Sequence, residues 1–190
     1  MKLVLASASP RRLDLLARIG VTPEAVDHPD IDEAVLLREL PRDHALRLAI
    51  GKADAVEVRH PDALVLAADT VVAVGRRILP KVEDEATLRA CMKLLSGRRH
   101  RVLTGVALAI PGQSTRSRLV ETMIAMKRLS DEEIDYYVGH GEWRGKAGGY
   151  ALQGYGEVYV RHIAGSYSNV VGLPLAETRH LLKSAGYPLA

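Results

Sequence analysis

Two hydrophobic periods divide the chain. Continuous apolar runs occur at Leu3-Val4-Leu5 and at Ala63-Leu64-Val65-Leu66-Ala67-Ala68, and Val71-Val72-Ala73-Val74 prolongs the second. Unbroken runs of this length predict strands covered on both faces. A helical period follows the first run, with Leu13, Leu15, Leu16 and Ile19 on one face and Gly20 as the stop. Pro41 opens a second helix, reaching about Arg59, with Ala45, Leu46, Leu48, Ala49, Ala53 and Val56 as its apolar face. Residues 21–35 between these helices predict an irregular acidic connection.

Gly75-Arg76 predicts a tight hairpin turn into Arg77–Leu79. Glu85 to Leu95 is amphipathic and ends at Ser96-Gly97. His100 to Ile110 and residues 116–127 predict a long hairpin about Pro111-Gly112. Ser130 followed by Glu133 is a capping box that opens a helix ending near Gly139. Glu157 to Ile163 alternates like a strand, Gly165 to Asn169 predicts a polar loop, and Leu175 to Ala185 predicts the last helix. Strands and helices alternate at both ends with a hairpin between. The expected fold class is α/β: a mixed, bent sheet flanked by helices, in two lobes around a central cleft, with residues 1–190 as one domain.

Composition narrows the classes. The chain has 190 residues, 47% of them hydrophobic, which argues for a substantial core and against disorder. Phe is absent and Trp occurs once, so Leu, Val, Ile and Ala must build that core. The net charge of +3 is interspersed rather than blocked. That suits a small anionic ligand and gives no footprint for nucleic acid. The single Cys91 excludes an internal disulfide and reads as core filler. No apolar stretch approaches the roughly 20 residues of a membrane span, and the N-terminal run is too short for a signal peptide, so a cytoplasmic location is expected.

Candidate chemistry concentrates in three places. In the first, Ser7-Ala8-Ser9-Pro10-Arg11-Arg12 joins a strand to a helix. Ser9 is a natural N-cap and Pro10 suits the first helical position. A helix N-terminus with small side chains and two guanidinium groups would receive phosphates, although arginines in a first turn also occur as solvated surface charge. In the second, Asp69 interrupts an apolar strand. A carboxylate there must be bonded, paired with a cation or bound to metal, or else cap a turn at the strand end. In the third, Gly141 to Gly156 holds six glycines among Trp, Tyr, Leu and Lys, which favours a ligand-binding loop over a flexible linker. Lys146 lies inside it and Gln153 near its end, either to pair with a base edge or to cap backbone.

Other residues carry less. Asp32 and Glu33 are adjacent in a loop, where carboxylates can turn toward a metal or a basic cluster. Lys52 is solvated unless its helix lines a cleft. Lys81 follows the short hairpin and could face the same opening as Asp69. His44, His60 and His180 read as surface histidines. Zinc-ligand spacing, a nucleophile elbow, a Walker loop and a dinucleotide fingerprint are all absent. The remaining set is Arg11, Arg12, Lys52, Lys81 and Lys146 against Glu33 and Asp69, a combination suited to metal-assisted cleavage of a phosphoanhydride.

These pieces resemble the Maf family of nucleoside triphosphate pyrophosphatases. The match comprises Leu5 to Arg12, Asp32-Glu33, Lys52, Ala68-Asp69-Thr70-Val71-Val72 and Lys81. It continues with Leu95-Ser96-Gly97, His100, Thr104 to Ala107, Lys146-Ala147-Gly148, Gln153-Gly154, and Gly165-Ser166-Tyr167 with Asn169 to Leu175. Val82 departs from the family, whose members usually carry proline there. The resemblance implies a Maf/ITPase-like two-lobed fold, a homodimer, dependence on a divalent cation (Mg²⁺ or Mn²⁺), and cleavage between the α and β phosphates to monophosphate and pyrophosphate.

By that resemblance Asp69 is the general base, Arg12, Lys52 and Lys81 handle phosphate, and Glu33 is the acidic partner near the metal, with Asp69 shared between both tasks. Ser7, Ser9, Arg11 and Lys146 join the expected substrate-binding set. Arg11, Thr70 and Gln153 match the branch acting on dTTP and UTP. The branch acting on 7-methyl-GTP carries an aromatic residue, Gln and Glu instead. An amide both donates and accepts, as the uracil or thymine edge requires. Two further readings stay open at this point: a nucleotide-binding regulator of septum formation without turnover, and a pyrophosphatase for modified purine triphosphates.

Overall fold

The computed structural model describes residues 1–189. In chain order the elements are β1 (Leu3–Ala6), α1 (Pro10–Arg18), β2 (Ala25–Asp27), α2 (Pro41–Glu57), β3 (Leu64–Val74), β4 (Arg77–Leu79), β5 (Lys81–Val82) and α3 (Glu85–Leu95). They continue with β6 (Arg99–Ala109), β7 (Arg116–Met126), α4 (Asp131–His140), β8 (Lys146–Ala147), β9 (Val160–Ala164), α5 (Tyr167–Val171) and α6 (Leu175–Ser184). A 3-10 turn over Tyr155–Tyr159 precedes β9. The main sheet has the order β2-β1-β3-β6-β7-β9, with β4 also paired to β3, and β5 and β8 form a separate ribbon. β2 and β3 lie parallel to β1, and the remaining pairings are antiparallel, so the sheet is mixed as expected.

The central strand β3 explains the cleft. Its first residues, 64–67, pair with β1, and its last, 72–74, pair with β4 on the same edge. Between them, residues 68–71 have a partner only on β6. The sheet edge is therefore open at Asp69 and Thr70. The chain leaving the carboxyl end of β1 turns into α1 at this gap, the kind of place where open α/β sheets bind ligands.

Packing divides at the same point. On one face, Leu64, Leu66 and Ala68 pack with Leu15 and Leu16 of α1 and Leu181 and Leu182 of α6. Farther along that face, Val72 joins Leu88 and Met92 of α3, Tyr137 of α4 and Trp143. These two clusters are the cores of the two lobes. The opposite face is covered by α2, through Ala49 and Ala53 against Val65 and Ala67, and through Ala45 against Val71 and Ala73. Small residues on both sides let α2 lie close. Gly105 on β6 pairs with Asp69, and a Cβ at that glycine would stand 2.3 Å from the Ala45 carbonyl oxygen. Only glycine permits this approach.

α1 begins at Pro10, the residue read as its first, with Ser9 at the N-cap position. Other expectations need correction. Residues 25–27, within the stretch read as irregular, form β2 by pairing with β1, because an edge strand needs only one partner to satisfy its backbone. Residues 157–159 belong to the 3-10 turn, and the strand starts at Val160. The polar loop at 165–169 is instead the start of α5, nucleated by the Ser166 hydroxyl accepting from the Asn169 amide. His44 is buried and bonded to Glu39 at 2.8 Å, and His60 is half-buried against Asp27 at 2.9 Å, so both ring nitrogens take carboxylate partners that local sequence did not reveal. His180 is exposed and Cys91 is buried, as read. No helix among the described residues is long and apolar enough to cross a membrane.

Candidate functional site

A cleft of about 450 Å³ straddles the open edge of β3. On its floor four side chains form one continuous chain. Asp69 Oδ1 accepts from Lys52 Nζ at 2.7 Å, Lys52 Nζ reaches Glu33 Oε1 at 2.6 Å, and Glu33 Oε2 accepts from Lys81 Nζ at 2.8 Å. Asp69 and Lys52 are each only 6% exposed. Burying this pair is tolerable because each charge meets its opposite within hydrogen-bond length. Lys52 is therefore the cleft-lining lysine, held by α2 directly above Asp69. Burial works to raise the Glu33 carboxyl, but hydrogen bonds from Lys52 and Lys81 outweigh it and hold Glu33 at about 2.

Glu33 comes from the loop before α2, which is itself clamped. Arg47 of α2 donates to both Glu39 oxygens at 2.6 and 2.9 Å and to the Ala34 carbonyl at 2.9 Å. Glu39 also accepts from the Leu36 amide. Asp32 does not enter the cleft chain. Its carboxylate accepts from the Ala34 amide, so it shapes the turn while Glu33 reaches the site.

The turn after β1 differs from expectation in its organiser. The Ser9 hydroxyl makes no cap bond. Buried Ser7 does the work: its Oγ accepts from the Ser9 amide at 3.1 Å and from Arg12 Nη1 at 3.0 Å. With both lone pairs engaged, the Ser7 hydroxyl proton is left to donate. Arg12 Nε donates to the Gly172 carbonyl at 2.9 Å, joining this turn to the segment after α5. Burial pulls the Arg12 guanidinium down, and Arg11 adds to this, while Asp69 and Glu33 oppose it. Burial also lowers Arg11.

Thr70 points to the face opposite Asp69, yet it lines the same cleft because the strand edge is open. Its Oγ1 lies 3.0 Å from Thr104 Oγ1. Pairing of β5 with β8 sets Val82 opposite Lys146 and so brings the two lysine-bearing segments together. Val82 is fully buried there, filling a core position without a proline. Lys146 donates to the Glu142 carbonyl, and burial followed by the nearby Arg11 lowers its ammonium. Gln153 is exposed on the cleft wall, and its side chain bonds no backbone group among the described residues. All the expected residues, Ser7, Ser9, Arg11, Arg12, Glu33, Lys52, Asp69, Thr70, Lys81, Lys146 and Gln153, therefore line one cleft.

Arg144 and Gly172 are among the lining residues that escaped the sequence reading. Arg144 lines the cleft with its guanidinium 4.5 Å from the centre of the Trp143 ring. A Trp-Arg pair inside a glycine-rich loop was the available signal. Gly172 contributes a carbonyl, which no side-chain motif could announce. Six Lys or Arg side chains thus face two carboxylates, an excess that fits a polyanion.

The family model described as Maf-like protein matches residues 2–185. The chain belongs to the Maf family. Among its Maf relatives, one from Caulobacter vibrioides is 63% identical over 97% of this chain and 96% of its own length. Another, from Novosphingobium aromaticivorans, is 60% identical over 97% and 92%. Both relatives bear the name dTTP/UTP pyrophosphatase. Among solved structures, a HAM1 protein from Coxiella burnetii superposes with a TM-score of 0.54 at 14% identity, covering 97% of this chain and 99% of that one. That likeness shows the Maf chain's fold and nothing of its substrate.

Proposed function

We propose that this Maf protein hydrolyses dTTP and UTP to the nucleoside monophosphate and pyrophosphate. The observation that carries the reading is the Asp69–Lys52–Glu33–Lys81 chain on the floor of a strongly cationic cleft, in a chain 63% identical to a relative named for that reaction. Arg11, Arg12, Lys146 and the Ser7 hydroxyl receive the phosphate tail, and Ser9 lies beside it at the helix start. Asp69 acts as general base. It takes a proton from water as the water oxygen attacks a phosphorus of the α–β anhydride and the bridging bond breaks. Lys52 fixes the orientation of Asp69 through Oδ1, leaving Oδ2 for the water. Lys81 and Lys146 stabilise charge on the departing pyrophosphate. Thr70, Arg11 and Gln153 select the base.

The donor set also fits a divalent cation of a particular kind. No group of three or more candidate protein ligands exists among the described residues. Asp69 and Glu33 do converge on one Lys52 ammonium, so their oxygens lie close together. Two carboxylates suit Mg²⁺ or Mn²⁺ that arrives with the triphosphate and keeps phosphate and water ligands. Such an ion would supply charge neutralisation on the anhydride oxygens. The resemblance extends the reading to a homodimer in the cytoplasm.

The deciding experiment is pyrophosphate release from a panel of pyrimidine, purine and modified purine triphosphates with Mg²⁺ or Mn²⁺. Turnover concentrated on dTTP and UTP is expected. Binding without turnover would favour a regulator of division, and a preference for modified purines would replace the pyrimidine reading.

A further inference from the structure

Glu142 stands outside the chemistry described above, and three groups converge on its carboxylate. Oε2 accepts from the Tyr155 amide at 3.0 Å, and Oε1 accepts from the Gly156 amide at 2.8 Å. The Tyr137 hydroxyl donates to Oε1 at 3.0 Å and accepts from the Ala151 amide at 3.2 Å. Tyr137 is fully buried in the lobe core. Gln153 lies between these attachment points, with Ala151 on one side and Tyr155 and Gly156 on the other. Burial works to raise the Glu142 carboxyl, but the Gly156 and Tyr155 amides and the Tyr137 hydroxyl lower it on balance.

The intervening glycine fits this clasp. Gly154 has φ −130°, a backbone angle open to any residue, so no turn conformation demands glycine there. The clasp does bear on it: a Cβ would stand 2.2 Å from Glu142 Oε2 and would push the carboxylate from its place. The loop is shaped around the carboxylate.

We propose that Glu142 is a positioning residue for base selection, acting with Tyr137 to fix segment 151–156 so that Gln153 meets the nucleobase in one orientation. The proposal rests on the pyrimidine reading of Gln153. A Gln side chain is long and flexible, so the position from which its amide reaches the base is set by how firmly its backbone is held. A carboxylate offers only acceptors and suits three donors. An amide at position 142 would set an N–H₂ against a backbone N–H.

The test measures kcat/KM for dTTP, dCTP and dGTP on the full chain with Mg²⁺, alongside urea midpoints. In Glu142→Gln the dTTP preference over dCTP and dGTP falls about tenfold, because a mispaired, half-buried donor displaces the loop. The loss appears mainly in KM for dTTP rather than in kcat. Gly154→Ala leaves the carboxylate intact and wedges a methyl into the clasp, and it should lower the same ratios. Should Glu142→Gln fail to fold, Gly154→Ala decides. A selective wild type whose ratios survive in the folded variants overturns the proposal alone. A wild type that cleaves all three triphosphates alike overturns the pyrimidine reading and the proposal with it.

Discussion

The two walls of the cleft are built in different ways. One wall is regular structure: Asp69 sits mid-strand on β3, Lys52 mid-helix on α2, and Gly105 on the neighbouring β6 lets α2 lie close to the sheet. The other wall is the segment 141–156, which has a two-residue strand and the start of a 3-10 turn and owes its shape to single side chains, Glu142, Tyr137 and Tyr150. On the proposed function, the general base Asp69 sits on the rigid wall, where little displacement is tolerated, and Gln153 reads the base from a wall that a few contacts hold.

The sharpest way to break the comparison is Asp69→Asn. The amide keeps the volume and can still accept from Lys52, so the fold should hold. Without a base, kcat should fall by about a hundredfold or more. Pyrophosphate release and the urea midpoint are measured together. Full turnover in a folded Asp69→Asn protein removes the rigid wall from the chemistry.

A second prediction sharpens the loop wall through pH. His100 on β6 is buried, and its Nε2 lies 2.7 Å from the hydroxyl of Tyr150, which fastens the loop to the sheet. Burial pushes the His100 ring down to about 4. The folded value lies below the ordinary one, so the unfolded chain binds the proton first as pH falls. The stability tied to neutral His100 is complete above about pH 6.5 and is lost as pH falls toward 4. Between pH 7 and 5 the loss is about 2 kcal/mol. His100→Phe removes the titrating group, so the stability gap between wild type and variant should narrow by that amount across the window. Urea unfolding at both pH values checks it, and a gap that does not change with pH refutes it.

The two walls also differ in how openly the sequence announced them. The rigid wall was readable at Asp69, because a carboxylate in an apolar strand requires a partner; Lys52 was not, since local sequence left it solvated unless its helix lined a cleft. The topology behind it was less visible. Nothing local says that β1 stops and β4 starts so as to leave Asp69 and Thr70 on an open edge, nor that residues 25–27 pair with β1. Ser9 looked like the cap because propensity favours it, yet the turn closed around Ser7, whose partner Arg12 is also held by the distant Gly172. On the loop wall, glycine density pointed to a ligand loop, and Lys146 and Gln153 line the cleft. The clasp at Glu142 was hidden because its three donors come from residues 137, 155 and 156, joined only by folding.

The smallest effect tests the loop wall alone. Gln153 projects into the cleft from a clamped backbone, so Gln153→Glu changes one group's hydrogen-bonding chemistry without touching the clasp. A glutamate can only accept, whereas the uracil or thymine edge presents both a donor and acceptors. It also adds a negative charge on the wall that faces a polyanionic substrate. Hydrolysis of dTTP and UTP should weaken by about tenfold in kcat/KM, mostly through KM, with the urea midpoint unmoved. Steady-state kinetics on both substrates measure it. Unchanged kinetics on dTTP and UTP would move base reading off the loop wall to Arg11 and Thr70 on the regular wall, and the division of labour between the two walls would fail.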